Sequence, residues 1–476
     1  MRAFAAIMRL TLRHAVRSHI FQLLLGLLLV CVVFLPMTIG GDGTAYGFIQ
    51  VSLLYSLSAV LLLLALSSIW LGCFMMSHDV DSYQLHMIVS KPVTRFTIWM
   101  GKFCGITLLN AVLLTISATV IYFTVLYQFN QAEFSEEERA KIVNEVMVGR
   151  RVFMPEQPDL DAMAREEMLA KYKKLEMENQ QVDKSPQAQA RLLASLKRDI
   201  IARLSELKYG GNTQWKYKNL PPDLKVPLYL RSRIYIDKIA TSGQRVTAGM
   251  WHVAFPQVVE DQKPNANESG DKSNYRSIWM QMSDVPETYM SGEFHEKILQ
   301  PEWKLVAPDG TLELGYTNFD PEGKNQYLQP ADGPKVLLKE TGFAGNYIRC
   351  VAVIFLELVI LAGLACAAAG VLTMPTAIFM VVSYLMLGSI ATFIVETTSG
   401  GSMGDYASFL LGKLILLVVI PIQNFEVTNF VANGELIEFS FIGGLIWSYL
   451  LLRALPLFLI GIWLYRKREL GLVIRK

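Results

Sequence analysis

The sequence predicts a polytopic α-helical membrane protein. It has six spans and an outer re-entrant element, with a mixed extracytoplasmic domain made of a helical arm and an antiparallel β-sandwich. Three observations predict this. Apolar residues form 52% of the chain and gather in runs. Those runs are about 20 residues long, enough for a helix to cross a hydrocarbon core about 30 Å thick. One long stretch, 128–346, interrupts them with charged and then β-rich sequence. The short loops between runs sort by charge, which sets orientation.

Residues 1–18 are the first element. Arg9, Arg13 and Arg17 recur every four residues on one helical face, while Phe4, Ile7, Met8, Leu12 and Ala15 gather on another. Such a helix either lies in the membrane interface, arginines toward anionic headgroups, or forms the basic flank of the first span. No small-residue cleavage site follows closely, so a cleavable leader is not expected. Within 19–127 the spans are 20–39, 48–76 and 103–126. Within 347–465 they are 350–372, 377–395 and 442–465, with Pro375 in the turn between the fourth and fifth.

The run 406–422 is short, carries Lys413 near its middle and ends beside Pro421. Charge decides how it runs. The N-terminal flank has Arg2, Arg9, Arg13 and Arg17; the tail 466–476 has Arg466, Lys467, Arg468, Arg475 and Lys476 against Glu469. Loops 40–47, 396–405 and 423–439 carry Asp42, Glu396, Asp405, Glu426, Glu435 and Glu438 and no base. Lysine and arginine mark the cytoplasmic side, so both termini belong inside and full crossings must be even in number. Six crossings follow if 406–422 dips in from outside and returns, shielded by neighbouring helices.

The stretch 128–346 then lies outside. Residues 135–210 read as helical: Ser135-x-x-Glu138 is a capping box, Ser185-Pro186 opens a helix, and Gly210-Gly211 closes the last one. Residues 151–158, with two prolines, read as a loop between helices. Residues 213–345 read as a β-sandwich. Its strands are 226–236, 246–255, 275–282, 303–306 and 311–316, separated by turns such as Pro308-Asp309-Gly310 and Asp332-Gly333-Pro334.

Between the second and third spans, 77–102 reads SHDVDSYQLHMIVSKPVTRFTIWMGK. Asp79 and Asp81 face bases Lys91, Arg95 and Lys102, and Pro92 breaks the segment. Solvated charge on an inner loop explains this composition by itself. The tokens Ser90-Lys91-Pro92-Val93-Thr94-Arg95 and Gly101-Lys102, in this position, resemble the membrane subunit of an ABC-type exporter of the type-two family, in a bacterial subset with a large outer insert after the third span. Pro421-Ile-Gln-Asn-Phe425 is similar to a Pro-Asn-x-x-Phe-like stretch of that family's re-entrant element. The resemblance implies an in-plane elbow helix at 1–18. It implies that 77–102 couples to a separate ABC ATPase subunit through Asp79, Asp81, Lys91, Pro92 and Arg95. It also implies a second permease copy or homologue and a location in the bacterial inner membrane. ATP and Mg would sit on the partner, with no cofactor and no enzymatic activity in this chain. A mechanotransmission subunit that drives a periplasmic partner without transport is the alternative. A membrane-anchored binding protein lacking an ATPase would leave 77–102 unexplained.

No GxxxxGK[ST] loop occurs, so ATP hydrolysis is not encoded here. The net charge of +2 argues against a nucleic-acid partner. Cys31, Cys73, Cys104, Cys350 and Cys366 all fall in apolar runs, without disulfide or CxxC spacing. Glu293-Phe-His295-Glu296 lacks a second histidine at ligand spacing and reads as solvated strand surface rather than a metal site. Trp215, Trp251, Trp279 and Trp303 form either a sugar-binding platform or, more simply, sheet core; His252 reads as core or rim. Asn267-Glu-Ser269 spells a glycosylation sequon by chance. Glu357 and Arg453 fall inside the fourth and sixth spans, where charges face the bundle interior, and are expected to pair. Membrane lipids are the remaining expected partner.

Overall fold

A computed structural model of the protein describes residues 2–38, 45–81, 93–131, 134–178, 185–237, 245–258, 275–330, 332–397 and 403–467. In chain order the helices are α1 (Arg2–Arg17), α2 (His19–Thr38), α3 (Ala45–Asp81), α4 (Arg95–Gln131), α5 (Glu136–Glu145), α6 (Leu160–Met177) and α7 (Pro186–Ser205). After a β-rich stretch come α8 (Phe343–Ala369), α9 (Met374–Thr397), α10 (Met403–Val418), α11 (Thr428–Ala432) and α12 (Phe439–Lys467). The strands are β1 (Val148–Phe153), β2 (Glu206–Leu207), β3 (Asn212–Tyr217), β4 (Leu228–Arg233), β5 (Tyr235–Ile236) and β6 (Val246–Val258). The rest are β7 (Tyr275–Gln281), β8 (Glu287–Met290), β9 (Phe294–Leu299), β10 (Leu312–Asn318), β11 (Gln326–Tyr327) and β12 (Lys335–Gly342). The chain forms two compact units: Met1–Gly149 with Thr341–Thr398 and Ala407–Lys476, and Arg150–Glu340 with Ser399–Tyr406.

The first unit holds five helices long and apolar enough to cross a membrane, α3, α4, α8, α9 and α12, or up to seven if each of two bent helix pairs counts as one span. Length and composition alone suit these helices to a membrane. The bent pairs are Arg2–Arg17 with His19–Leu35, at 71°, and Ala407–Val418 with Ile422–Ala432, at 54°. Helix α8 is the hub, 72% buried along its apolar window, whereas α9 is 17% and α12 28% buried. Apolar side chains give no driving force between helices in lipid, so close packing of small residues must hold them. Gly72 of α3 faces Ala365, Gly363 lies under the Phe458 ring of α12, and Gly461 abuts Ala367. Polar clasps add to this: Asn110 donates to Ser68 Oγ at 2.7 Å between α4 and α3, and Tyr347 Oη to the Ala118 carbonyl at 2.7 Å. Helix α1 lays Phe4, Ile7, Met8 and Thr11 over Gly101 and Gly105 of α4, so the side carrying its apolar residues packs on a neighbouring helix, a contact that the sequence reading did not anticipate.

In the second unit, strands run β1-β12-β4-β9 in one sheet and β3-β10-β6-β7, with β8 on β6, in another; β2-β11-β5 form a small third ladder. The pairs with resolved register are antiparallel. The two larger sheets share one core of Leu228, Leu230, Val336, Trp251, Leu314 and Tyr316. Helices α6 and α7 have their own small core, Ala164, Met168, Leu196 and Ile200.

The capping box at Ser135 and the Ser185 cap with Pro186 are present as expected. Several boundaries differ. Residues 151–153 continue strand β1 rather than a loop, because Pro155 and Pro158 fall after the strand has ended. Gly210-Gly211 does not close α7, which stops at Ser205; Gly210, at φ +71°, makes the turn between β2 and β3. Residues 303–306 are not a strand: Pro301 starts a 3-10 turn, and Lys304 is left-handed at φ +47°. Strands β1, β2, β3, β8, β9, β11 and β12 lie outside the five expected ranges.

Gly363→Ala places a Cβ inside the Phe458 ring. Overpacking of this kind costs about 1–3 kcal/mol. The expected outcome is a lower unfolding temperature in detergent, restored when Phe458→Leu is added; an unchanged melt for the single variant contradicts the packing described.

Candidate functional site

The site is built from the two ends of the first unit and the bent hairpin between them. At one end, α4 starts at Arg95. Its guanidinium donates to the Arg466 carbonyl at 2.8 Å and the Tyr465 carbonyl at 3.3 Å, capping the C-terminus of α12. Cations favour helix C-termini because unpaired carbonyls there carry partial negative charge. Beside it, buried Trp99 donates to the Cys366 carbonyl near the end of α8 at 3.3 Å, and buried Lys102 donates to the Met75 carbonyl of α3. Helix α1 packs against the same part of α4. This end therefore gathers the basic N-terminal helix, Arg95, Lys102 and the end of α12.

Of the other residues expected to couple, Asp79 and Asp81 lie on the last turn of α3, so that part of the segment is helical. Lys91 and Pro92 lie outside the described residues, as does the Asn267 sequon. The structure brings Arg95 to the last helix rather than leaving it as a bare exposed charge.

At the opposite end, Asn346 of α8 donates to the Glu435 carbonyl at 2.8 Å and accepts from the Ile437 N–H at 2.9 Å. Arg349 donates to the Ile437 carbonyl at 3.1 Å and stacks 4.1 Å from the Phe439 ring. Gln50, near the start of α3, donates to Asn433. The stretch 433–439, with Glu435 and Glu438, is held here.

Between these ends, α10 runs beside α9. Gly412 lies against Ala391 and Val395, and Ile420 against Gly388. Tyr384 Oη donates to the Val418 carbonyl at 3.0 Å and accepts from the Ile420 N–H at 3.1 Å. The chain then turns through the 3-10 segment Ile422–Phe425, bends by 54° and returns along α11 to Asn433. Tyr384 is ten residues inside α9, so the hairpin reaches only partway along its neighbour before reversing.

Arg453 meets this tip. It donates to the Val419 carbonyl at 3.4 Å, and its guanidinium sits 4.8 Å from the Tyr449 ring, which also packs at a tilt against Phe425. No ion pair joins it to Glu357, so the expected pair does not form. Both residues lie fourteen positions into their helices, counted from Phe343 and Phe439, so their depths match at about 21 Å. Their azimuths do not. Arg453 lies in a π-helical segment, Ile446–Ala454, whose wider turn rotates side chains away from α-helical phase. Glu357 is buried on the hub helix and, among the described residues, has no hydrogen-bond or ion-pair partner; Glu426 at the bend lies within electrostatic reach.

In the second unit, Glu296 is not solvated surface. Its carboxylate accepts from Arg150 at 2.7 and 3.0 Å and from Arg231 at 2.6 Å, and the three side chains are 7%, 0% and 4% exposed. Arg150 also lies over the Tyr229 ring at 5.2 Å. Burial pushes this carboxyl up, but the charges of Arg231 and Arg150 outweigh it and hold it below the ordinary value of 4.5. His295 contacts the Met290 carbonyl through Nε2 at 3.0 Å. Trp251 is core and packs at a tilt against Trp215 and Tyr316, whereas Trp279 and Trp303 are 37% exposed, so the four do not form one platform. His252 Nε2 meets Thr317 Oγ1 at 2.8 Å, as a half-buried rim residue. Sequence reasoning missed Arg150 and Arg231; their signal was an arginine inside an apolar strand.

No known protein family, curated protein or solved structure matches this chain.

Glu296→Gln strands two buried guanidiniums, a loss of about 3–5 kcal/mol. The sign with pH follows: a carboxyl depressed in the folded state stabilises fully above the ordinary value of 4.5 and loses that contribution as pH falls through its lowered folded value. Protection of the β4 and β9 amides against hydrogen exchange, taken relative to the intrinsic rate at each pH, should therefore fall in the wild type on acidification through that value. In Glu296→Gln protection is low already at neutral pH and has lost this acid dependence.

Because Glu357 and Arg453 act separately, the stability losses of Glu357→Gln and Arg453→Met add in the double variant to within about 0.5 kcal/mol. A coupling larger than that, measured by thermal unfolding, restores the ion pair.

Proposed function

We propose that this chain is the permease subunit of an ATP-driven ABC exporter, moving a substrate outward across a bacterial inner membrane with a separate ATPase. In this reading α2, α3, α4, α8, α9 and α12 cross the bilayer, both termini are cytoplasmic, and 407–432 enters from outside and returns. The observation that carries it is the hairpin tip at Val418–Ile420, held by Tyr384 and Arg453 partway along α9 and α12. Backbone may leave helix form in hydrocarbon only where protein shields and satisfies it. The sorting of bases supports the same orientation: α1, Arg95, Arg466 and Lys467 gather at one end.

The geometry supplies a route for work. An ATPase pressing on the α3–α4 connection acts on Arg95, which grips the end of α12. Helix α12 in turn carries Arg453, which grips the hairpin tip. Rigid elements joined at discrete contacts transmit displacement in this way. The exposed apolar faces of α9 and α12, including Phe379, Phe393, Trp447 and Trp463, would meet lipid or a second permease copy. A mechanotransmission subunit is the second reading. Strand β12 ends at Gly342 and α8 begins at Phe343, so no linker residue separates the β-rich unit from the hub helix.

The test is purification from native membranes with mass spectrometry of bound proteins, and repetition with Asp79, Asp81 and Lys91 charge-reversed. An ATPase should co-purify with the wild type and be lost from the variant without change in melting temperature. Single cysteines at 262 and 430 should be labelled from outside, and one at 470 only after permeabilisation. No associated ATPase, or outside labelling at 470, overturns the proposal. ATPase activity coupled to a periplasmic protein, with no solute movement in proteoliposomes, selects the mechanical reading.

A further inference from the structure

We propose that the second unit binds a monoacyl anion, an apolar chain ending in a carboxylate or phosphate, in a cavity beneath the loops 222–228 and 299–308. The cavity measures about 580 Å³, within the range of sites that enclose a small ligand. Its floor is apolar: Leu228, Leu299, Leu305 and Val306 line it, and all four are buried residues. Its walls are stiff. Pro222, Pro301 and Pro308 line it, each with φ fixed by its ring, so little order must be imposed when a ligand enters.

The rim carries charge. Lys225 and Lys304 line the cavity and are exposed, and among the described residues neither ammonium has an ion-pair partner. Asp223 is the acid beside them, leaving the lining with a net positive charge. Lys304 holds a left-handed backbone, φ +47° and ψ +50°, which is costly for a residue with a Cβ. A fully apolar ligand would leave the two ammoniums without a counter-charge, and a small inorganic anion would leave the apolar lining at Leu224, Pro222, Pro301 and Pro308 in water. An amphiphile satisfies both, since each methylene moved out of water favours binding. Its headgroup meets Lys225 and Lys304, and its chain covers Leu224 and the three prolines above the buried floor. This site stands independently of whether an ATPase associates with the membrane helices.

The experiment uses the full chain in nanodiscs, photo-crosslinked with a diazirine analogue of palmitate and mapped by mass spectrometry. Labelling should fall on peptides covering 222–228 and 299–308. It should be competed by palmitate or lysophosphatidate but not by neutral monopalmitoylglycerol. Lys225→Gln with Lys304→Gln should cut that labelling roughly tenfold, as loss of charge-assisted contacts implies, with no shift in melting temperature. Competition by lysophosphatidate alone assigns a phosphate headgroup, and by palmitate alone a carboxylate. Labelling confined to the membrane helices, equal competition by the neutral lipid, or an undiminished signal in the double lysine variant overturns the proposal. Competition by an acidic leucine-rich peptide in place of either lipid overturns the acyl assignment.

Discussion

The first unit depends on how one broken piece of backbone is satisfied. Helix α10 ends at Val418, and the carbonyls of its last turn have no further helix to bond to. In a low-dielectric surround each orphan carbonyl costs several kcal/mol. Tyr384 takes Val418, Arg453 takes Val419, and the Ile420 N–H returns a bond to Tyr384. The neighbouring features follow. Tyr384 must lie on the α9 face turned toward the tip, and Gly388 must be glycine, because a Cβ there would meet the Ile420 carbonyl at 2.9 Å. Arg453 must turn toward α10, which a π-helical segment in α12 allows. That segment lets Tyr449 pack against Phe425 and lets Arg453 cap the Val419 carbonyl.

The hub helix obeys a different rule. Helix α8 carries glycine and alanine where α3 and α12 approach, and its aromatic contacts are kept for the ends, Tyr347 against Tyr122 and Phe343. Burying a helix on most faces against apolar neighbours leaves shape as the discriminating variable. A charge on such a helix is then conspicuous. Glu357 has no ion-pair partner there among the described residues, while the arginine at equal depth is committed to a carbonyl.

Much of this was legible in the sequence, and the rest was hidden for physical reasons. Apolar runs located the long helices because burial from water depends on length and composition, both one-dimensional quantities. The amphipathic stripe of α1 and the caps at Ser135 and Ser185 are local patterns and were readable as such. Helix azimuth was not. The observed helix starts place Glu357 and Arg453 at equal depth, yet π-helical phase and an orphan carbonyl send Arg453 elsewhere, which no residue count along the sequence could show. The β-rich unit shows the same division. Strand periodicity found β4, β6, β7 and β10. It passed over β9 and misjudged Glu296, because an acid in a strand reads as exposed unless its partners are known, and here they lie 146 and 65 residues away.

The Arg150–Glu296–Arg231 cluster bears on what the β-rich unit is built for. Two cations and one anion buried together carry a surplus positive charge, and a well-packed apolar trio of similar volume is often as stable or more so. Stability alone therefore does not account for it. What the cluster supplies is register: β4 and β9 pair Arg231 opposite Glu296, and a slip by one residue would place the carboxylate on the other face, away from both guanidiniums. A sheet so fixed cannot slide along β9. Leu299 and Gln300, where β9 ends, line the cavity with the lysine rim, so the cluster also fixes the position of one wall of that cavity.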